Sequence, residues 1–196
     1  MKRLLILGIL LLLVYPTIAY SDTGYVDPNG DSTPLQWSPI PGATHYTALD
    51  DGIRQPTAGG TADYITSSAN GKIDIFDMST LTVGSVSNVT VWAYNAGVTA
   101  NCVSVSIYMG GGWTALTAIG VVSSVAWRSV SFNGTWTQSD LNAMQVKVQN
   151  TETNVPFVAT VDSLYCVVTY TAGGGGGGGG TAPYKIKKKK GIFFIK

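Results

Sequence analysis

The chain has 196 residues, of which 12% are charged, 45% hydrophobic and 10% aromatic, and its net charge is +1. This composition indicates an extracellular β-protein and argues against nucleic-acid binding. The charges are unevenly distributed, because residues 22–184 carry four basic and all eleven acidic residues (−7), whereas residues 185–196 carry six lysines and no acid (+6). The sequence thus predicts an acidic body joined to a cationic tail.

Residues 1–21 have the three-part pattern of a secretory signal peptide. Two basic residues precede the eleven apolar residues Leu4–Val14, and small residues permit cleavage after Ala19 or after Ser21. The alternative is an uncleaved anchor, but the apolar segment is shorter than the roughly 20 residues of a membrane-spanning helix. The sequence therefore predicts a secreted or cell-surface protein with no transmembrane span in the mature chain.

Residues 22–171 are predicted to form one domain, because a chain of about 150 residues can bury a single core. Its first part, Asp22–Gly60, is rich in Gly, Pro, Asp, Ser and Thr, which indicates a loose entry segment. Within this segment we expect Trp37 to pack onto the domain and Thr44–Leu49 to form a short strand. Strand signals become regular from Asp63, and we expect residues 33–171 to form one all-β domain with at least seven strands and no helix longer than two turns.

Period-2 alternation of β-branched residues predicts strands with one buried face. The alternation is clearest in Val86–Tyr94 and Cys102–Met109, and Leu164–Tyr170 is a run of the same kind that can pair with either. Short polar turns separate about nine such strands, which is typical of an all-β fold, here a single antiparallel β-sandwich of jelly-roll-like type. The other predicted strands are Ala62–Thr66, Lys72–Met78, Val125–Phe132, Met144–Gln149, and one long strand or two within Phe157–Tyr170.

The alternation also predicts which side chains share a face. In the predicted strand Lys72–Met78, Ile73 and Ile75 lie on the face opposite Asp74, which is expected to be solvated. In the run near residue 146, Gln145 and Lys147 are predicted to point outward.

Two further signals come from turn and helix chemistry. The Asn-Gly pair at 133–134 predicts a tight turn between strands. The residues Thr137–Asp140 match a capping pattern, which predicts one helical turn ending near Ala143.

The sequence carries no catalytic or metal-binding signature. His45 is the only histidine, and no GxSxG motif supplies a nucleophile for it. One histidine and two distant cysteines do not give zinc-ligand spacing. Glu152 is the only glutamate, and the aspartates lie in or beside turns without an EF-hand-type calcium loop. We therefore predict a non-enzymatic protein without a metal ion or cofactor.

Cys102 and Cys166 are the only cysteines. In an oxidising compartment they are a candidate disulfide. The alternative is two buried thiols that behave as small apolar residues. Cys166 shares its face with Leu164 and Val168, whereas Cys102 lies opposite the apolar Val103, so their predicted faces do not agree.

Three tryptophans are candidate ligand contacts, because an indole ring can stack on a sugar ring. Trp92 alternates with polar residues on a predicted outer face, Trp113 follows three glycines, and Trp136 follows a predicted turn. Loops on a rigid scaffold are common binding positions. The alternative for each is packing in or against the core.

A glycine-rich linker at residues 172–182 separates the domain from a tail at residues 183–196. We expect this tail to contact an anionic surface or partner. Three alternatives are strand addition to a neighbouring copy, recognition by an export system, and a solvated tail without a partner. The residues predicted to make the contact are Lys185, Lys187, Lys188, Lys189, Lys190, Phe193 and Phe194.

Trp136–Asn142, Met144–Val146 and Val161–Tyr170, together with Asp63–Ile65 and Ser87–Val91, resemble an uncharacterised β-sandwich module. Such modules occur in secreted proteins of environmental bacteria and in phage structural proteins. The resemblance implies a jelly-roll-like fold with a structural or binding role, and it supplies no functional residues.

From these observations we predict a secreted, non-enzymatic binding or adhesion module of the cell surface or extracellular matrix that contacts glycans. The alternative is a structural subunit of a virion or extracellular assembly, which would self-associate.

Overall fold

The structure is a computed structural model. It describes residues 21–42, 44–49, 54–55, 63–96, 102–120, 125–153 and 158–171. The predictions for the glycine-rich linker, for the tail contacts and for all but the last residue of the signal segment lie outside this part of the chain. Within it, no helix has the length and apolar character needed to cross a membrane.

The described residues form strands β1 to β12, one 3₁₀ turn and one short α-helix. In chain order these elements are β1 (Ser21–Val26), β2 (Pro28–Leu35), β3 (Ser38–Ile40), the 3₁₀ turn (Tyr46–Ala48), β4 (Tyr64–Ser67), β5 (Ile73–Met78), β6 (Ser85–Ala96), β7 (Val103–Met109), β8 (Gly112–Trp113), β9 (Thr117–Ala118), β10 (Ala126–Trp136), α1 (Gln138–Asn142), β11 (Gln145–Asn150) and β12 (Ala159–Thr171).

The strands lie in two antiparallel sheets. The first sheet has the order β10-β6-β12-β4-β3, with β1 beside β12, and the second has the order β2-β5-β11-β7-β8, with β9 also beside β7. Four antiparallel pairs relate the two halves of the chain, namely β4 with β12, β5 with β11, β6 with β10, and β7 with β8. This nested pairing is a long hairpin rolled into two sheets, the arrangement of a jelly roll. The predicted fold class is confirmed.

The core lies between the sheets and is built from the inward side chains of their central strands. Buried and partly exposed residues alternate along β11, as the period of a strand requires, whereas β7 is buried at nearly every position. Strand β12 pairs with β6, which settles the partner of the Leu164–Tyr170 run. Fully buried core residues include Val89, Val91, Val105, Ile107, Val146, Val148 and Val168.

The first part of the domain differs from the predicted loose entry segment. Strands β1 and β2 join opposite sheets, where β1 pairs with β12 and β2 pairs with β5. The prolines that suggested a loop are tolerated because β2 is an edge strand, so its missing N–H groups break no interior ladder. The packing of Trp37 is confirmed, since its exposure is 4%.

The prediction of a strand over Thr44–Leu49 is wrong, because this segment contains the 3₁₀ turn. The carboxylate of Asp31 accepts hydrogen bonds from the backbone N–H groups of His45 and Tyr46 at 3.1 and 2.7 Å. These bonds satisfy the donors at the start of the turn, which would lack partners inside so short a helix. A carboxylate from β2 therefore fixes a local structure that the turn's own residues do not specify.

The predicted turn at Asn133-Gly134 is also wrong, because β10 continues through these residues with a register shift between Asn133 and Trp136. A Cβ atom at Gly134 would lie 2.3 Å from Cζ2 of Trp136. The glycine is thus needed for close approach of the indole ring at a strand irregularity. The predicted helical turn is confirmed as α1, with Thr137 as its N-cap.

Candidate functional site

The outer face of the second sheet carries a shallow cleft next to α1, which we call the sheet-face cleft. Its cavity volume is about 560 Å³. Cross-strand register places Asp77, Gln145, Tyr108 and Trp113 in one row across β5, β11, β7 and β8. The cleft is lined by Asn29, Asp77, Met78, Thr80, Tyr108, Asn142, Ala143, Met144 and Gln145.

The polar side chains of the sheet-face cleft hold each other in position. Nε2 of Gln145 donates hydrogen bonds to Oδ1 of Asp77 at 2.7 Å and to Oγ of Ser32 at 3.1 Å. At the α1 end, Nε2 of Gln138 donates to Oδ1 of Asn142 at 2.7 Å. Amide and carboxylate groups together provide both donors and acceptors in fixed planes, which suits a ligand rich in hydroxyl groups.

Of the two aromatic residues in the row, Tyr108 lines the cleft and Trp113 lies beside it, outside the lining. The ring centroids of Tyr108 and Trp113 are 5.5 Å apart with an interplanar angle of 63°. Trp113 remains 37% exposed. The β7–β8 turn that presents it depends on Gly110 and Gly111, whose φ angles are +62° and +79° and would strain other residues.

A single cation lies against the exposed indole. Nζ of Lys147 is 4.1 Å from the ring centroid of Trp113. Lys147 occupies β11, one outward position after Gln145, as its alternation predicts. The Lys147 ammonium therefore adjoins the aromatic end of the sheet-face cleft.

The three predicted tryptophans do not form one site. Trp113 lies on the second sheet, whereas Trp92 lies on the outer face of the first sheet. Trp136 is half-buried and packs against the core, and its ring lies close to Gly110 in the turn that presents Trp113. Trp136 thus supports the turn, and its role as a ligand contact stays a prediction.

The outer face of the first sheet has its own aromatic cluster. Trp92 and Tyr165 stack with centroids 6.2 Å apart and an angle of 5°, while Trp127 meets Tyr165 edge-on at 5.3 Å. Arg54 lies 4.7 Å above the ring centroid of Tyr25 at the edge of this cluster. Tyr165 is only 4% exposed, and its burial raises the pKa of the phenol. Because its central ring is covered, this cluster is a packed layer and a weaker candidate than the sheet-face cleft.

Asp74 corrects the predicted faces of β5. Its exposure is 0%, and it lies on the core side with Phe76 and Met78, so Ile73 and Ile75 face outward. Its Oδ2 lies 2.6 Å from Nδ1 of His45.

Oδ1 of Asp74 accepts from the backbone N–H groups of Gln36 and Trp37 at 2.6 and 2.9 Å. A buried carboxylate is tolerated where it is paired and hydrogen-bonded. These contacts join β5 to the chain after β2, which indicates a structural role for His45.

The two cysteines are free and buried, so the structure does not contain the candidate disulfide. Cys166 faces the core from β12 in the first sheet, and Cys102 precedes β7 in the second sheet. Burial raises the pKa of both thiols, and the negative charge of Glu152 adds to the effect at Cys102. Raised thiol pKa values keep both groups protonated and unreactive at neutral pH.

No group of three or more His, Cys, Asp or Glu side chains is placed to hold a metal ion among the described residues. The tail residues Lys185, Lys187 to Lys190, Phe193 and Phe194 lie outside that part of the chain. The absence of enzymatic activity stays a prediction.

Sequence reasoning missed Tyr108, Asp77 and Gln145 as site residues. Strand alternation did predict that Gln145 points outward. That the three side chains lie next to one another depends on which strands pair, and alternation does not show this. The turn glycines before Trp113 were the one local signal, and they pointed to the correct end of the cleft.

Comparisons with known proteins give structural similarities without a family. No family model matches the sequence, and no curated protein matches it. The CBM36-1 domain of a multidomain xylanase from the hindgut metagenome of Trinervitermes trinervoides shares 11% identity at a TM-score of 0.37, with 81% of this chain and 99% of that domain covered.

CBM35 from Cellvibrio japonicus Abf62 shares 16% identity at a TM-score of 0.36, with 79% of this chain and 100% of that one covered. The Agl-KA catalytic domain shares 11% identity at a TM-score of 0.40, and the match covers 79% of this chain but only 28% of that one.

Proposed function

We propose that the protein is a secreted, non-enzymatic carbohydrate-binding module that holds a glycan in the sheet-face cleft. The observation that carries this proposal is the row in which Tyr108 and Trp113 continue directly from Asp77 and Gln145. Aromatic rings stack on the apolar faces of sugar rings, while planar amides and carboxylates bind their hydroxyl groups.

The position of the row supports binding of an extended ligand. The side chains stand on four neighbouring strands of a rigid sheet, so they are held in place before the ligand arrives. Strands in a sheet lie about 4.8 Å apart, which gives the row a length of about 14 Å. An open row of this length fits several consecutive sugar units better than one enclosed small molecule.

The signal segment and the binding face support a place outside the cell. A secretory signal would deliver the domain to the surroundings in which polysaccharides are found. Adhesion to a cell surface or matrix is the use that this combination favours.

The test is affinity electrophoresis of the full-length protein in gels that contain xylan, galactan, mixed-linkage β-glucan or glucuronoxylan. We expect retardation by at least one polysaccharide and a loss of about tenfold or more in affinity for Trp113→Ala and Tyr108→Ala, as for central aromatic contacts. Tyr25→Ala is the matched control, because Tyr25 is an exposed aromatic residue on the other sheet.

Two results would contradict the proposal. One is the absence of retardation by every polysaccharide, and the other is equal binding by wild type, Trp113→Ala and Tyr108→Ala. Thermal unfolding of each variant establishes that the substitutions leave the fold intact.

A further inference from the structure

The outer face of the second sheet carries one negative and one positive side chain, which lie at different places along the row of cleft residues. The outward residues of β5, β7 and β11 include two charged side chains, Asp77 and Lys147. The carboxylate of Asp77 accepts from Gln145, on the side of the cleft away from Trp113. The ammonium of Lys147 instead leans over Trp113, at the other end.

Lys147 has no carboxylate partner among the described residues, because none lies within 4.0 Å of its Nζ. Its contact with Trp113 satisfies the charge only in part, since a cation–π contact at an exposed site is weak. The ammonium group has three N–H donors and no acceptor. It is therefore ready to bind an anion that reaches the exposed edge of the indole.

The two charged groups lie at different places along the row. Lys147 is on β11, next to β5, but its ammonium group contacts the ring of Trp113 on β8, on the side of β11 away from Asp77. A ligand lying along the row would meet the positive group beside Trp113 and the negative group at Asp77. A ligand with an anionic group near Trp113 and neutral hydroxyl groups near Asp77 suits both.

We propose that the sheet-face cleft selects polysaccharides carrying occasional uronic acid units, whose carboxylate binds Lys147 beside Trp113. This assignment rests on the proposed function and specifies its ligand class. A carboxylate is a more basic acceptor than a sulfate ester, and its hydrogen bond to an ammonium group is charge-assisted. The net −7 of residues 22–184 disfavours densely charged polyanions, so the uronic acid units are sparse.

The experiment compares two polymers that differ only in the acid. Affinity of the full-length protein is measured for glucuronoxylan and for the same polymer after chemical reduction of its carboxyl groups to alcohols. We expect about tenfold weaker binding to the reduced polymer, since a hydrogen bond between charged groups contributes about 1.5–3 kcal/mol and 1.4 kcal/mol is a factor of ten. We expect a similar loss for Lys147→Ala on the unreduced polymer. We also expect reduction of the polymer to weaken Lys147→Ala less than wild type, with any remaining loss due to the lysines of residues 185–196.

Lys72→Ala is the charge-matched control, because Lys72 lies in the turn before β5, outside the row. It should bind both polymers as wild type does.

The outcomes separate this inference from the proposed function. Equal affinity for both polymers, with Trp113→Ala still weakening binding, overturns the uronic acid assignment and leaves the glycan site in place. Tighter binding to a sulfated polysaccharide such as carrageenan than to glucuronoxylan overturns the choice of carboxylate. Binding to no polymer overturns both.

Discussion

Asp74 shows how one charged side chain can be part of a β-sandwich core. Its two oxygens contact His45 and the backbone N–H groups of Gln36 and Trp37, and its own exposure is 0%. Loss of the carboxylate leaves those donors without their acceptor in a place that water does not reach, so the cost is that of broken buried bonds.

We expect Asp74→Ala to reduce the free energy of unfolding by about 3–5 kcal/mol. Urea denaturation at pH 7 followed by tryptophan fluorescence measures the change. Asp77→Ala is the control, because it removes the same side chain three positions along β5 from a partly exposed site, and we expect a loss of about 1 kcal/mol or less. A loss below about 0.5 kcal/mol for Asp74→Ala would show that the pair is not needed for folding.

The sequence could not reveal this residue's surroundings. Alternation favoured the face with Ile73 and Ile75, because two isoleucines are more often buried than one aspartate. The donors that reverse this preference come from residues 36, 37 and 45, which are far from Asp74 in the sequence. A charged residue can therefore face the core when distant segments supply its partners.

At the level of a single element, α1 is specified almost entirely by its own residues. The Oγ of Thr137 accepts from the N–H of Asp140 at 3.2 Å, and Oδ2 of Asp140 accepts from the N–H of Thr137 at 2.8 Å. This reciprocal capping box satisfies N-terminal donors that a short helix cannot pair internally. Because all its parts lie within four residues, the sequence predicted the helix.

We expect Thr137→Ala to destabilise the protein by about 1 kcal/mol, as for loss of an N-cap. Ser139→Ala is the control, since Ser139 is exposed and lies inside the same helix. Differential scanning calorimetry of both variants measures the difference. Equal melting temperatures for wild type and Thr137→Ala would contradict a stabilising cap.

The same capping box predicts a pH dependence. The hydrogen bonds from the backbone and side chain of Thr137 lower the pKa of Asp140. A lowered pKa in the folded state means that the stabilisation is fully present above the unfolded-state value of about 3.9 and is lost as the pH falls through the folded value. Wild type and Asp140→Asn should therefore differ in stability at pH 6 and converge towards pH 2, and a difference that grows on acidification would contradict the assignment.

Other elements depended on partners that the local sequence does not show. The alternating sequences of β6, β7 and β11 predicted strands correctly, because a strand with one buried face has apolar residues at every second position. Edge strand β2 tolerates proline and glycine, so composition suggested a loop. At Asn133-Gly134 the glycine serves the packing of Trp136 rather than a turn.

For the whole molecule, the strand order brings residues from distant parts of the sequence into one face. The row from Asp77 to Trp113 crosses β5, β11, β7 and β8, whose order in the sheet differs from their order in the chain. Alternation predicted that Gln145 and Lys147 point outward, and the glycine turn singled out Trp113. Which outward residues become neighbours depends on the nested jelly-roll pairing, and a strand pattern alone does not determine that pairing.

The last prediction concerns where the folding domain begins. The sequence predicts that residues 33–171 form one all-β domain, but β1 lies wholly before residue 33 and most of β2 (Pro28–Leu35) also precedes it. Without them, β12 loses its partner β1 along residues 166–171, β5 loses most of β2, and the fully buried Val26 is removed from the core. The Asp31 carboxylate that holds the 3₁₀ turn is lost as well. We therefore expect fragment 22–171 to fold as a monomer with a cooperative urea transition. We expect fragment 33–171 to aggregate or unfold, because newly exposed strand edges pair between molecules.

Size-exclusion chromatography and far-UV circular dichroism of the two fragments provide the comparison. A cooperative transition of equal midpoint for both would show that β1 and the first half of β2 are additions to a domain that folds without them.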